Sequence, residues 1–257
     1  MTLPNPMEHL TRQGRNLSAE VTDAIQEAYR AHSAVPNVTL PPGELKGVEV
    51  IHYTLDAGRC LAEAYGHVMR GFPELVALPD VQFTGLRIDG VTYMSDTPLE
   101  KLTNLPFIEA ARGDVLIFGL GIGLILEPIL AKPEVRSVTV VEKNFWVREL
   151  VAHHYLKRHE GRLLVHLGDA FTYQPGEYAD LLGNGGTFDT VYFDIWPDIG
   201  DQNLPDMERL MNRARPWLRP GGWLDCWMRE KAEWMRDVMA YIEQENQKGN
   251  PTHVPYL

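Results

Sequence analysis

Residues 115–123 read Val115-Leu-Ile-Phe-Gly119-Leu-Gly121-Ile-Gly123. Four apolar residues in a row predict a hydrophobic strand, and the glycines after it predict a tight turn that opens a helix. Glycine suits a backbone that turns sharply or approaches a ligand with no Cβ in the way. The dinucleotide fingerprint would place its third glycine at position 124, where the chain has Leu124. An NAD site therefore ranks last among nucleotide sites.

Reading toward the C-terminus, the pattern repeats. Strands are predicted at 138–141, 163–166, 190–193 and 222–227, and helices at 124–131, 145–159, 204–217 and 230–243, with a glycine-bearing loop at 182–187. Short strands alternating with helices predict parallel βαβ units, with ligands beyond the carboxyl ends of the strands. Reading toward the N-terminus, Val21, Ile25 and Tyr29 predict a helix over 18–33 with Ser18 as its cap. A linker over 36–47, a strand over 48–55 and a helix over 59–70 ending at Gly71 follow. Residues 81–93 predict a hairpin turning at Asp89-Gly90. The expected architecture is α/β: a small α+β region with a β-hairpin over 1–100, then a Rossmann-like sheet with helices on both faces over 101–257.

Composition narrows the function classes. With 257 residues, 24 basic and 35 acidic side chains and a net charge of -11, the chain lacks the basic excess that grips a nucleic-acid backbone. Cys60 and Cys226 stand far apart, which supports neither a disulfide scaffold nor a cysteine zinc site. Residues 1–17 carry no apolar signal segment, and the apolar run 115–126 is shorter than the roughly 20 residues of a membrane span. A cytoplasmic protein without membrane or nucleic-acid partners is expected. His52, His153 and His154 fall at no metal-ligand spacing, so no metal is expected.

Three strand ends carry candidate site residues. Glu142 follows 138–141 and lies 19 residues beyond Gly123, where a carboxylate accepts bonds from both hydroxyls of a ribose. Gly168-Asp169-Ala170-Phe171 joins an acceptor for an exocyclic amine to an apolar neighbour, as a purine pocket requires. Asp194 ends the strand before Ile195-Trp196-Pro197-Asp198, near the reacting end of any ligand held across the sheet.

Residues 113–230 resemble the core of class I S-adenosylmethionine-dependent methyltransferases, most of all the spermidine synthase-like branch. Leu86-Arg-Ile-Asp89-Gly90-Val-Thr-Tyr-Met-Ser95-Asp96 resembles the hairpin that precedes the polyamine synthase core. The resemblance implies S-adenosyl-L-methionine as cofactor. Gly119, Gly121 and Gly123 would surround its methionine part, Glu142 would hold its ribose, and Asp169 and Ala170 would meet its adenine. Lys143 belongs to the same cofactor-binding set, and Asp194 would face the cofactor's amino group or the acceptor.

The chain departs from polyamine synthases at Ile122, where they carry an acid, at Thr97-Pro98-Leu99, and at Ile195-Trp196 within the loop after the fourth strand. Methyl transfer to a small-molecule acceptor, an amine among the candidates, is therefore the leading expectation. Asp194 or Asp198 would orient the acceptor, and Tyr93 and Trp196 would wall it. Aminopropyl transfer from the decarboxylated cofactor and a silent cofactor-binding or assembly protein are the alternatives. Only 248–257 remain for the antiparallel strand pair that typically follows the last large helix in the superfamily the chain resembles, so the sheet is expected to stop at five strands. Its edge would then be covered by the N-terminal region or by a second subunit, and a homodimer is expected.

Overall fold

The computed structural model describes residues 26, 34–56, 80–177 and 185–248. The predicted helices over 18–33 (apart from residue 26) and 59–70, Cys60, and residues 182–184 of the predicted loop lie outside the described residues.

The first sheet is antiparallel, in the order β1 (Gly43–Leu45), β2 (Val48–Asp56), β3 (Asp80–Ile88), β4 (Val91–Ser95). Two-residue turns close both of its hairpins. Lys46-Gly47 and Asp89-Gly90 each hold positive φ at both positions, the handedness that matches strand twist. The Asp89 N–H donates to the Gly47 carbonyl at 2.8 Å and ties the turns together. The linker predicted over 36–47 thus ends in a strand, too short to show alternation.

Helix α1 (Pro98–Ala110) was not legible in the sequence, although Pro98 suits a first helical turn. Its buried face includes Lys101 and Asn104 beside Phe107 and Ile108, so polar residues interrupt the apolar period. Asp96, fully buried, accepts from the Val38 N–H at 2.8 Å and the Thr84 N–H at 2.7 Å, and Lys101 donates to Asn37. Burial holds the Asp96 carboxyl above its ordinary range and pushes Lys101 down to about 8. This buried polar group fastens β3, the end of β4 and α1 to residues 37–38.

The second sheet is parallel, in the order β7 (Leu163–Leu167), β6 (Val135–Glu142), β5 (Gly113–Phe118), β8 (Phe188–Phe193), β9 (Leu218–Cys226). Its helices are α2 (Leu126–Leu130), α3 (Phe145–Leu156), α4 (Leu204–Ala214) and α5 (Arg229–Gln247). Alternate residues of β5 serve opposite layers. Val115 and Ile117 pack with α1, α2 and α3, while Leu116 and Phe118 pack with α4. Both faces are covered, which is why the strand reads as a continuous apolar run. The fold is the Rossmann-like α/β arrangement expected, with five described strands in this sheet.

Boundaries moved where local chemistry intervened. β9 begins at Leu218 rather than at 222, because a register shift between Phe188 and Thr190 absorbs the Pro220-Gly221-Gly222 stretch. α4 ends at Ala214 and gives way to a tighter turn over Arg215–Trp217. At the amino ends of the strands, Asp114 and Asp189 share Arg136 and Arg219, with four N···O distances of 2.6 to 2.8 Å. The strand order reverses between β5 and β8, and the crevice at their carboxyl ends is where such sheets bind ligands.

Candidate functional site

A cavity of about 600 Å³ opens at that crevice. Its floor is made by strand ends whose backbone bonds continue one residue past the strands. The Gly119 N–H donates to the Val141 carbonyl, that of Asp194 to Phe118, and that of Trp227 to Phe193, at 2.8 to 2.9 Å.

The glycine loop is shaped by the chain's own atoms. At Gly119 a Cβ would strike the Asp194 carbonyl, at Gly121 the sulfur of Met94, and at Gly123 the Tyr155 ring, and all three hold positive φ. Gly119 and Gly121 line the cavity. Gly123 does not: it packs on Tyr155, whose hydroxyl donates to the Ile122 carbonyl at 2.6 Å. Gly123 therefore shapes the loop from behind rather than surrounding a ligand.

Glu142, the last residue of β6, is buried and faces the loop. One carboxylate oxygen accepts from the Leu120 N–H at 2.8 Å, the other from the Asn144 N–H at 2.7 Å. Burial holds its carboxyl above the ordinary range, and the backbone donors work against that shift. A carboxylate has about four lone-pair sites, so some acceptor capacity remains for a ligand beside the backbone donors. Lys143 pairs with Asp169 at 2.9 Å, and Asp169 also accepts from the Phe171 N–H at 2.9 Å. The lysine and that N–H together hold the Asp169 carboxyl below its usual range. Ala170 supplies a buried apolar neighbour on the same wall.

At the other end of the cavity stand Asp194 and Glu100. Removal from water pushes Asp194 up to about 7. Burial pushes Glu100 up to about 8, the nearby Asp194 charge adding to it and a backbone donor at Ser95 opposing it. Tyr93, Trp196, Trp227 and Asp206 also line the cavity. Asp198 is exposed and stands outside the cavity wall, so the structure does not bring it to Asp194 and Trp196. Among the described residues, five acids (Glu100, Glu142, Asp169, Asp194, Asp206) and one lysine, itself paired, line the cavity.

Sequence reasoning missed Glu100, Met94, Asp206 and Trp227. Trp227 and Asp206 were within reach of the rule that ligands meet the carboxyl ends of parallel strands, since one directly follows β9 and the other opens α4 after β8. Nothing local marks Glu100 or Met94, because both belong to the N-terminal segment and reach the cavity only through tertiary packing. Among the described residues no group of three or more His, Cys, Asp or Glu is placed to hold a metal, and no helix is long and apolar enough to cross a membrane.

No protein-family profile matches this chain, and no curated protein matches it by sequence. Solved structures do match in part. The CcbJ methyltransferase from Streptomyces caelestis is similar at 21% identity over 48% of this chain and 47% of its own, with a TM-score of 0.35. Spermidine synthase from Thermotoga maritima is similar at 17% identity over 55% and 49%, TM-score 0.36, and the [4+2]-cyclase SpnF at 16% over 50% and 45%, TM-score 0.35. The chain thus spans about half the length of these solved structures.

Proposed function

We propose that the chain is an S-adenosylmethionine-dependent methyltransferase whose acceptor is a small organic amine. One observation carries this reading: a single cavity at the strand-order reversal joins Glu142, bonded to the glycine loop, to the recessed Glu100 and Asp194 carboxyls. A cavity of about 600 Å³ suits a nucleoside ligand with a small acceptor beside it. Glu142 would hold the ribose hydroxyls with its remaining lone pairs, and Ala170 and Phe171 would flank the base. Asp169 would present its remaining acceptor sites, and Lys143 would steady Asp169. When bound, the cofactor supplies a methyl group activated by a sulfonium, so no protein nucleophile is needed.

The chain's residues prepare the acceptor. A protonated amine has no lone pair to offer, so its proton must leave before attack. Asp194, pushed up to about 7 by burial, is partly ionised near neutral pH and would accept that proton. Tyr93, Trp196 and Trp227, which line the cavity, would contact a cationic acceptor through their rings.

A second reading, aminopropyl transfer from the decarboxylated cofactor, is favoured by the same acidic wall, which among the described residues supplies no unpaired cation for a carboxylate. Calorimetric titration with S-adenosylmethionine, adenosylhomocysteine, decarboxylated S-adenosylmethionine and NAD tests both. Binding of the first two above the others is expected. Preference for the decarboxylated form selects the second reading, and binding of none overturns both in favour of a silent scaffold.

A further inference from the structure

The glycine loop has one N–H whose partner is weak. Gly119, Leu120 and Gly123 donate to the Val141 carbonyl, the Glu142 carboxylate and the Leu120 carbonyl. The Ile122 N–H instead donates to the thioether of Met94, at 3.2 Å. A thioether is a poor acceptor, and burying an amide against one forfeits much of what an oxygen would provide. Both partners are held in place. Ile122 is fully buried and its carbonyl takes the Tyr155 hydroxyl, while Met94 lies on β4 just before Asp96, whose carboxylate is locked by Val38 and Thr84. The sulfur rests directly on Gly121, which is where that glycine's missing Cβ would be. Met94 and Gly121 both line the cavity, as do Glu142 and Asp194.

We infer that Met94 tunes how tightly the cavity holds a carboxylated cofactor tail, by occupying the Ile122 N–H that the ligand's carboxylate takes once Met94 turns aside. The inference rests on the proposed nucleoside site at Glu142. A ligand with its ribose there directs its tail over the glycine loop toward Asp194. A carboxylate oxygen bonded to the Ile122 N–H would stand where the sulfur now stands, so a carboxylated tail that takes this N–H must displace Met94. A tail without a carboxylate need not.

The test compares adenosylhomocysteine, which carries the amino-acid tail, with methylthioadenosine, which shares the nucleoside and lacks the tail. In calorimetry, Met94→Ala is expected to raise affinity for adenosylhomocysteine about tenfold and to leave methylthioadenosine within about twofold, as expected when a charged acceptor replaces a weak one. Unchanged methylthioadenosine binding also certifies that the variant folds. Independently, with methyl-13C methionine in the unsubstituted protein, the Met94 methyl resonance should move on adding adenosylhomocysteine well beyond its response to methylthioadenosine. Equal effects on the two ligands, or a Met94 signal indifferent to the tail, overturn the assignment while leaving the nucleoside site standing. Failure of both ligands to bind overturns the nucleoside site, and the Met94 assignment with it.

Discussion

Asp189 and Asp194 lie five residues apart, at the beginning of β8 and just past its end, and their surroundings are opposite. Asp189 accepts from the Asp114 N–H and pairs with Arg136 and Arg219 at 2.6 Å, which together hold its carboxyl below the usual range despite the partial burial that opposes them. Asp194 has no ion pair among those described and is pushed up to about 7 by loss of water. The same contrast divides the two ends of the sheet: two acids matched by two arginines at the amino end, five acids against one paired lysine at the carboxyl end. Charges that serve stability are compensated where they stand. At the carboxyl end Asp169 is paired with Lys143, and under the proposed function a cationic ligand would compensate the remaining carboxyls.

The sharpest way to break the comparison is Asp194→Asn. If the carboxyl end is catalytic, turnover should fall by about 10² to 10⁴, the usual range for a lost general base, with nucleoside affinity changed by less than about threefold. Kinetics equal to those of the parent would remove Asp194 from the reaction. Glu100→Gln should follow with a smaller loss, concentrated in KM for the acceptor.

Glu142→Ala should act on both binding and stability. Loss of nucleoside affinity is expected in calorimetry, together with lower stability in denaturant, because the Leu120 and Asn144 N–H groups lose their acceptor at about 1 to 3 kcal/mol for each that stays dry. An affinity loss without destabilisation would mean that water replaces the carboxylate on those two donors. At the opposite end, Asp189→Asn should lower stability by only about 1 kcal/mol, since the cluster is partly exposed and screened, and should leave turnover alone. A turnover defect there would erase the division of labour between the two ends.

How far the sequence carried these conclusions differs between the two sheets. The parallel sheet was legible strand by strand because each buried run is continuous and each helix is separately punctuated. Glu142, Asp169 and Asp194 were legible for the same reason, as acids at predicted strand ends. The glycines were located correctly, yet their physical cause was not: Met94, Tyr155 and the Asp194 carbonyl require them, and those neighbours come from other elements. Helix α1 stayed hidden because buried Lys101 and Asn104 break its apolar stripe, and with it went Glu100. A residue contributed across the interface between two sheets leaves no local periodicity to read.

The smallest effect expected is on the pH dependence of stability, and it separates the ends by sign. Asp194 and Glu100 have ordinary values of 3.8 and 4.5 and lie at about 7 and about 8 in the folded protein. Between those limits the folded state holds more protons than the unfolded one, so stability falls as pH rises from about 4 to about 8. Burial shifts Glu142 and Asp96 in the same sense. Asp114 and Asp189 are shifted downward, so the stability they contribute is present above about 4 and is lost only as pH drops below it. Thermal melts of the ligand-free protein should therefore fall on both sides of a mildly acidic optimum. Asp194→Asn should flatten the limb toward pH 8, and Asp189→Asn should flatten the acid limb. A saturating organic amine should also reduce the loss toward pH 8, because a bound cation favours the ionised carboxylates. If the alkaline limb were unchanged in Asp194→Asn and by added amine alike, the carboxyl end would be no more uncompensated than the amino end, and the contrast between them would be structural only.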